Sequence, residues 1–326
     1  MKSKYILDSS HVYQKYEIEK LIGSGGMGSV FLVHLKNDPA QKFALKYYKN
    51  AMETNNALRF KTEAKLLKEI KSKSIPKFEE FYEDNAEMFY VMEYIEGETL
   101  SDLLAKKGRL DTRRAINYMK QINEGIAELH AFNIIHRDIK SQNIIVTKNQ
   151  EIKIVDLGIS LAPDSQRITK TSTIVCSPYY AAPEINDKIT KAVDIYALGI
   201  VFFEMLTGKY PFRGKDEYET IKMHKEKDFP NIREFIDVPW SIYNIIARAV
   251  AKDPKKRYED VWKFNKDLTN ALTPKGKAEK PLNMKTLQVR KTKDLFFASN
   301  KFLVIGIVIS IIVIAIVLTI VFLKIT

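Results

Sequence analysis

After a polar stretch over residues 1–15, the chain alternates polar and apolar side chains through Tyr16-Glu17-Ile18-Glu19-Lys20-Leu21-Ile22. A period of two sends successive side chains to opposite faces of a strand. The run ends in a glycine cluster and resumes as Ser29-Val30-Phe31-Leu32-Val33, which predicts a hairpin. Asn37-Asp38-Pro39 marks a turn before a further strand, Lys42 to Tyr48. Between Ala57 and Lys71, Leu58, Ala64, Leu67 and Ile70 recur at helical spacing, with Lys and Glu on the other faces. Two more strands are expected near 77–82 and 87–93. From Leu100 the pattern turns helical, with helices over Asp111–Phe132, Thr190–Leu206, Glu217–Lys225 and Trp240–Val250. The expectation is an α+β chain of two lobes: a small β-rich lobe over 16–93 and a larger helical lobe over 97–272, joined near Glu93 to Gly97.

The C-terminal stretch breaks this pattern. Phe302 to Leu323 is a run of 22 residues interrupted only by Gly306, Ser310 and Thr319, with Lys301 and Lys324 at its ends. As a helix rising ~1.5 Å per residue it would reach roughly 33 Å, enough for a hydrocarbon core of about 30 Å. A transmembrane helix over 302–323 is expected, followed by a short extracytoplasmic tail at 324–326. Residues 273–301 carry eight Lys or Arg against Glu279 and Asp294, a net +6 out of the chain's +12. Basic residues gather on the cytoplasmic flank of a span. Residues 273–301 therefore read as a basic juxtamembrane linker, and the domain before them as the cytoplasmic part of a single-pass cell-membrane protein. Such a linker is also attracted to an anionic leaflet. Nucleic-acid binding would want the basic residues interleaved with stacking aromatics on a folded face, so nucleic acid is not an expected partner. Gly306 and Ser310 stand at small-xxx-small spacing, a candidate packing face for a homodimer.

Composition adds exclusions. A chain that is 45% hydrophobic and 28% charged is globular rather than disordered. Its single cysteine, Cys176, forbids an intrachain disulfide, and its five histidines show no zinc-like spacing. Residues 1–13 lack an apolar h-region, so no cleaved signal is expected.

The chemistry is concentrated in one stretch. His136-Arg137-Asp138 is followed by Lys140 and Asn143, then by Asp156-Leu157-Gly158. The order H-R-D-x-K-x-x-N…D-x-G supplies a carboxylate to receive the proton of an attacking hydroxyl. It also supplies an amide and a second carboxylate to hold metal ions against phosphates. Asp138 is the candidate base, Lys140 the neighbour of the transferred phosphoryl group, and Asn143 and Asp156 the candidate metal ligands. The apolar runs Asn133-Ile134-Ile135 and Ile144-Ile145-Val146 predict a strand–loop–strand around Asp138.

At the hairpin turn, Gly23-Ser24-Gly25-Gly26-Met27-Gly28-Ser29-Val30 reads G-x-G-x-x-G-x-V. Glycines let amide N–H groups face an anion, although a Gly-rich turn alone is equally consistent with no ligand. A dinucleotide fingerprint would open a helix, whereas strand residues follow here. Lys46, in Phe43-Ala44-Leu45-Lys46, is either a snorkelling surface residue or a phosphate ligand. The glycine loop before it and the helix after it favour the ligand. A buried ammonium needs a carboxylate, and Glu63 is best placed, with Glu53 and Glu69 as rivals.

Together these motifs resemble the eukaryotic-type protein kinases from Tyr16 to about Leu272. Ala182-Pro183-Glu184 is similar to the family's A-P-E, and Asp194-Ile195-Tyr196-Ala197-Leu198-Gly199 to the helix whose Asp holds the catalytic loop. Asp253-Pro254-Lys255-Lys256-Arg257 supplies the Arg expected to pair with Glu184. The resemblance implies a bilobal kinase fold, ATP with Mg²⁺ (or Mn²⁺) as cofactors, and protein substrates bearing Ser or Thr hydroxyls. It implies an ATP site built from Ile22, Gly23, Ser24, Gly25, Gly26, Met27, Gly28, Ser29, Val30, Ala44, Lys46, Met92, Glu93, Tyr94 and Ile145. Lys140, two residues after Asp138, marks the Ser/Thr rather than the Tyr branch. Ser177 stands where the family has Thr and can bond Asp138 and Lys140, while Cys176 replaces the usual Gly and Leu157 the usual Phe. With an anchor behind a basic linker, the likeness is to bacterial transmembrane Ser/Thr kinases, without their extracellular repeats.

Between Gly158 and Ala182 lie Ser160, Ser165, Thr169, Thr171, Ser172 and Thr173. A phosphate there, carrying about −1.5 to −2 charge, could pair with Arg137 and order the segment. Autophosphorylation at Thr169 and Thr171 is expected. The rival reading is a catalytically silent kinase-like scaffold. Silent relatives lose the Lys or one of the two Asp, and here Lys46, Asp138, Asn143 and Asp156 are all present.

Overall fold

Tyr16–Gly25 (β1) and Gly28–Leu35 (β2) form the expected hairpin, paired from Tyr16↔Leu35 to Gly25↔Gly28. The computed structural model describes residues 3–25, 28–49, 55–157, 177–185, 187 and 189–289. Gly26, Met27, Gly158, Thr169, Thr171, Cys176 and the expected membrane span 302–323 lie outside the described residues. Among the described residues, no helix is long and apolar enough to cross a membrane. Asp38–Lys49 (β3), Phe78–Glu83 (β4) and Glu87–Glu93 (β5) complete an antiparallel sheet in the order β1-β2-β3-β5-β4.

The period-two pattern sorts this sheet into two faces. Phe31 and Val33, Leu45 and Tyr47, and Phe89 and Val91 point to the outer face. The alternate residues of β3 and β5, Lys46, Met88 and Tyr90, point inward, where Ala57, Phe60, Ala64 and Leu67 of the helix α2 (Asn55–Glu69) are buried. Residues 3–15, read from the sequence only as a polar extension, cover the outer face. Ile6 and Val12 are buried there, the latter in the short helix α1 (Val12–Lys15). Glu87, 1% exposed, ties the segment down by accepting the His11 N–H (2.8 Å) and the Tyr47 hydroxyl (2.7 Å).

Gly97–Thr99 (β6), Ile144–Thr147 (β7) and Ile152–Ile154 (β8) form a small sheet at the start of the larger lobe. Among the described residues, seven helices follow the join: α3 (Leu100–Lys107), α4 (Thr112–Ala131), α5 (Ala192–Thr207), α6 (Glu217–Glu226), α7 (Trp240–Ala249), α8 (Val261–Asn270) and α9 (Pro274–Lys277). The Thr99 and Asp111 side chains cap α3 and α4 by accepting the N–H groups of Asp102 and Arg114. In α4 the buried Ile116, Met119, Ile122, Ile126 and Leu129 fall at helical spacing. By contrast α5 is buried on every side from Val193 to Leu206, as a central core helix must be.

Two expectations need correction. Residues 133–140 contain no strand, so the catalytic loop is not a strand–loop–strand. Left-handed backbone at Asn133 (φ 58) and Arg137 (φ 66) interrupts any ladder, and side chains take the N–H groups a neighbouring strand would have taken. The segment 273–301, read as a linker, is folded onto the larger lobe at least as far as residue 289, where Leu282 is buried and bridges Val289. Buried Asn244 supplies the hydrogen bonds that hold it.

Candidate active site

Lys46 lies mid-strand in β3, and its register opposite Val30 on β2 and Tyr90 on β5 aims it between the lobes. Its ammonium donates to both oxygens of Glu63 on α2 (2.8 and 2.9 Å) and to Asp156 Oδ1 (3.0 Å). Tyr90 Oη donates to Glu63 Oε1 (2.8 Å), which orients the carboxylate further. Burial alone would lower the pKa of Lys46, but the charges of Glu63 and Asp156 outweigh it, and the ammonium is held well above the ordinary lysine value. The same ammonium lowers the pKa of Asp156, so that carboxyl is anionic. Glu63 is therefore the partner; Glu69 lies elsewhere on the helix, and Glu53 lies outside the described residues.

Asp138 is held at both oxygens. Lys140 Nζ donates to Oδ2 (2.6 Å), Asn143 Nδ2 to the same oxygen (3.2 Å), and Ser177 Oγ to Oδ1 (3.1 Å). The expected Ser177 contact thus falls on Asp138. The loop carrying Asp138 is fixed from below by Asp194 at the start of α5, which accepts the N–H of His136 (2.9 Å), the N–H of Arg137 (2.8 Å) and a bond with His130 Nε2 (2.8 Å). Asp194 is 1% exposed. Its oxygens are what let the strained turn at Arg137 persist. Arg257 and Glu184 form a buried two-pronged pair (2.5 and 2.7 Å), as expected for the segment ending in Ala182-Pro183-Glu184.

The residues fit a divalent cation with oxygen ligands. Asn143 also gives its Nδ2 hydrogens to the Asp138 carbonyl (3.0 Å), so its side-chain oxygen is the atom left for a metal. Asp156, in left-handed backbone (φ 56), keeps its side chain 53% exposed with one oxygen on Lys46. On the side expected to take the nucleotide, Ala44 pairs with Met92 and Phe43 with Glu93, which sets the end of β5 beside β3. Tyr94 follows directly, and Ile145 pairs with Thr99 below the join. Ile22, 48% exposed on β1, presents an apolar side chain at the loop. Gly23, Ser24 and Gly25 end β1, and Gly28, Ser29 and Val30 begin β2. At Gly28 the backbone (φ 115) leaves no room, since a Cβ would sit 2.3 Å from the Tyr47 carbonyl oxygen.

One element of the site was not anticipated. Near its C-terminal end α5 carries a second acid, Glu204, whose Oε1 accepts the Ser141 hydroxyl (2.9 Å) and whose Oε2 accepts the Tyr180 hydroxyl (2.7 Å). It ties the catalytic loop to the segment leading into Ala182. The signal available in the sequence is a lone acid inside Phe202-Phe203-Glu204-Met205-Leu206. Burial pushes the Glu204 carboxyl up to about 7, against the pull of the Tyr180 and Ser141 hydroxyls. Because its folded value is above the ordinary 4.5, its contribution to stability is whole below pH 4.5 and is lost as pH rises through 7. The difference, 7 − 4.5, corresponds to about 3 kcal/mol. Glu204→Gln is expected to remove this component. In urea unfolding, the stability of wild type relative to the variant should fall by about 3 kcal/mol between about pH 4 and about pH 8. A difference that does not change with pH would contradict the assignment.

Comparison with known proteins agrees with this geometry. The protein kinase domain family matches residues 16–266. The serine/threonine-protein kinase PrkC of Bacillus subtilis is 36% identical over 273 residues, which are 82% of this chain and 42% of PrkC. The serine/threonine-protein kinase PknA of Corynebacterium glutamicum is 32% identical over 255 residues, 75% of this chain and 54% of PknA. The chain thus spans about two fifths to a half of the length of these relatives. The crystal structure of Rad53 residues 1–466 in complex with AMP-PNP superposes with a TM-score of 0.65 at 23% identity, covering 78% of this chain and 65% of that one, a likeness of fold. With a lysine shared between two carboxylates above and a loop aspartate anchored from α5 below, the chain belongs to the protein kinase domain family, alongside serine/threonine kinases of bacteria.

Proposed function

We propose that the chain is a membrane-anchored serine/threonine protein kinase that uses ATP and Mg²⁺. The observation that carries this reading is the Lys46 ammonium bonded at once to Glu63 and Asp156, with Asp138 free of either and hydrogen-bonded to Lys140. Lys46 in that position reaches the phosphates. Asp138 orients the acceptor hydroxyl and receives its proton, while Lys140 stabilises charge on the transferred group. Mg²⁺, held by Asn143 and Asp156, would neutralise phosphate charge there. The names of the bacterial relatives support Ser/Thr as the acceptor class, as does Lys140.

The apolar run 302–323 behind a basic stretch supports a single-pass cell-membrane anchor with the kinase domain in the cytoplasm. The hydroxyl-rich stretch before Ala182 supports autophosphorylation at Thr169 and Thr171, with Arg137 as the phosphate partner. Transfer of labelled phosphate from ATP to a generic basic protein tests the activity, and its absence with both Mg²⁺ and Mn²⁺ would favour the silent scaffold. Mass mapping of wild type and Asp138→Asn tests the switch. Phosphate on Thr169 and Thr171 is expected only in wild type, and phosphate at those positions in both preparations would rule out autophosphorylation.

A further inference from the structure

The larger lobe ends in a folded heel. After α8, Gly276 packs so closely that a Cβ would lie 2.1 Å from the Asn270 carbonyl oxygen. Asn244 of α7, 4% exposed, then fastens the following stretch. Its Nδ2 donates to Glu279 Oε2 (2.9 Å) and to the Lys280 carbonyl (3.0 Å), and its Oδ1 accepts the Leu282 N–H (2.9 Å). Leu282 is buried, and Met284 and Leu287 pack against the core of the lobe. Residues 273–289 are therefore a fixed surface and not a loose tether.

That surface is predominantly basic. Lys275, Lys277 and Lys280 are exposed, with no ion-pair partner among the described residues. Lys256 Nζ donates to the Lys285 carbonyl (3.3 Å), which brings Lys255 and Lys256 into the same patch. Lys285 meets Asp228 at 3.1 Å, with both side chains about three-quarters exposed (74% and 75%), a pairing that neutralises little. The segment's one acid, Glu279, is turned toward Asn244.

We infer that this folded lysine surface is a lipid contact, seating the larger lobe on the anionic leaflet into which the chain is anchored. The inference rests on the anchor reading above. From Val289, residues 290–301 are 12 residues before the apolar run, a reach of at most ~40 Å. They add Arg290, Lys291, Lys293 and Lys301 against Asp294. A preformed patch held that near a bilayer need not be ordered on contact, so its charge acts in full on phosphate and carboxylate headgroups. Asp194 of α5 holds the catalytic loop, α5 packs on α7, and Asn244 of α7 holds the heel. The heel is thus joined to the catalytic loop through α7 and α5.

The full chain in lipid nanodiscs tests this, with per-lysine acetylation rates read by mass spectrometry in phosphatidylcholine discs and in discs that also contain phosphatidylserine. Lys256, Lys275, Lys277 and Lys280 should react about fivefold more slowly in the anionic discs. Lys68 and Lys107, exposed on α2 and α3, should be unchanged. Salt at about 0.5 M should remove the difference. The variant K275E/K277E/K280E should lose the protection of Lys256. Equal rates in the two kinds of disc would overturn the inference while leaving the anchor intact. A chain that elutes free of both kinds would overturn the anchor reading, and this inference with it.

Discussion

Asp138→Asn is expected to slow phosphoryl transfer by about 10³-fold, within the range for loss of a positioned general base, while nucleotide affinity stays within about twofold. The two side chains have the same shape, so the loop anchored by Asp194 need not move. The charge is what goes. Lys140 sits 2.6 Å from Asp138 Oδ2 and the Ser177 hydroxyl 3.1 Å from Oδ1, both as donors. A neutral amide can satisfy only one of these two donors through its oxygen, and its NH₂ would face the other. Lys140 then loses its anionic partner, and the acceptor hydroxyl loses the atom that takes its proton. Single-turnover transfer from labelled ATP separates the chemical step from binding, and a variant transferring at the wild-type rate would remove Asp138 from the base's role. On the proposed reading the nucleotide's phosphates lie against Lys46, and against Asp156 only through Mg²⁺, rather than against Asp138, so unchanged affinity is the other half of the result.

The parts of the site that were legible in the sequence are those whose chemistry is written in short spacing. Lys140 and Asn143 reach Asp138 because they sit two and five residues away on one loop. The Lys46–Glu63 pair was legible for a different reason: a strand lysine that turns inward must find a carboxylate, and the helix that follows offers few. Illegible features depended on contacts across long sequence separations. Ser141 meeting Glu204 requires knowing that α5 passes beneath the loop, which no local pattern states. The same blindness made residues 273–289 look like a linker. Their lysines suggest solvent, and only the buried amide of Asn244 reveals that their backbone is spoken for. The missing strand at Ile134-Ile135 failed in the opposite way. Two β-branched residues favoured extension, but the N–H of Ile134 turns back to Leu129 (2.9 Å) and those of His136 and Arg137 go to Asp194.

Lys46→Met should be the most informative single change, because it separates two roles of one ammonium. Methionine roughly keeps the volume and removes the charge, so phosphoryl transfer should fall by at least about 10²-fold and nucleotide affinity by about tenfold, through loss of the phosphate contact. Stability should fall as well, by about 3–5 kcal/mol, the cost of leaving one member of a buried pair alone. Glu63, with its side chain 6% exposed, would retain only the Tyr90 hydroxyl. Burial already raises the pKa of Glu63, and Lys46 is the main group lowering it. Without Lys46 the pKa of the carboxyl rises further. A carboxyl raised in the folded state stabilises below its unfolded pKa and loses that contribution as pH rises, so the variant's deficit should be larger at about pH 8 than at about pH 6. Adding Glu63→Gln supplies a neutral partner, and urea unfolding should show most of the lost stability returning. Nucleotide affinity should not return, because the phosphates lack their ammonium in both variants. If the double variant recovered binding along with stability, Lys46 would be a structural cation alone, and the phosphate end of the site would have to be sought elsewhere in the cleft.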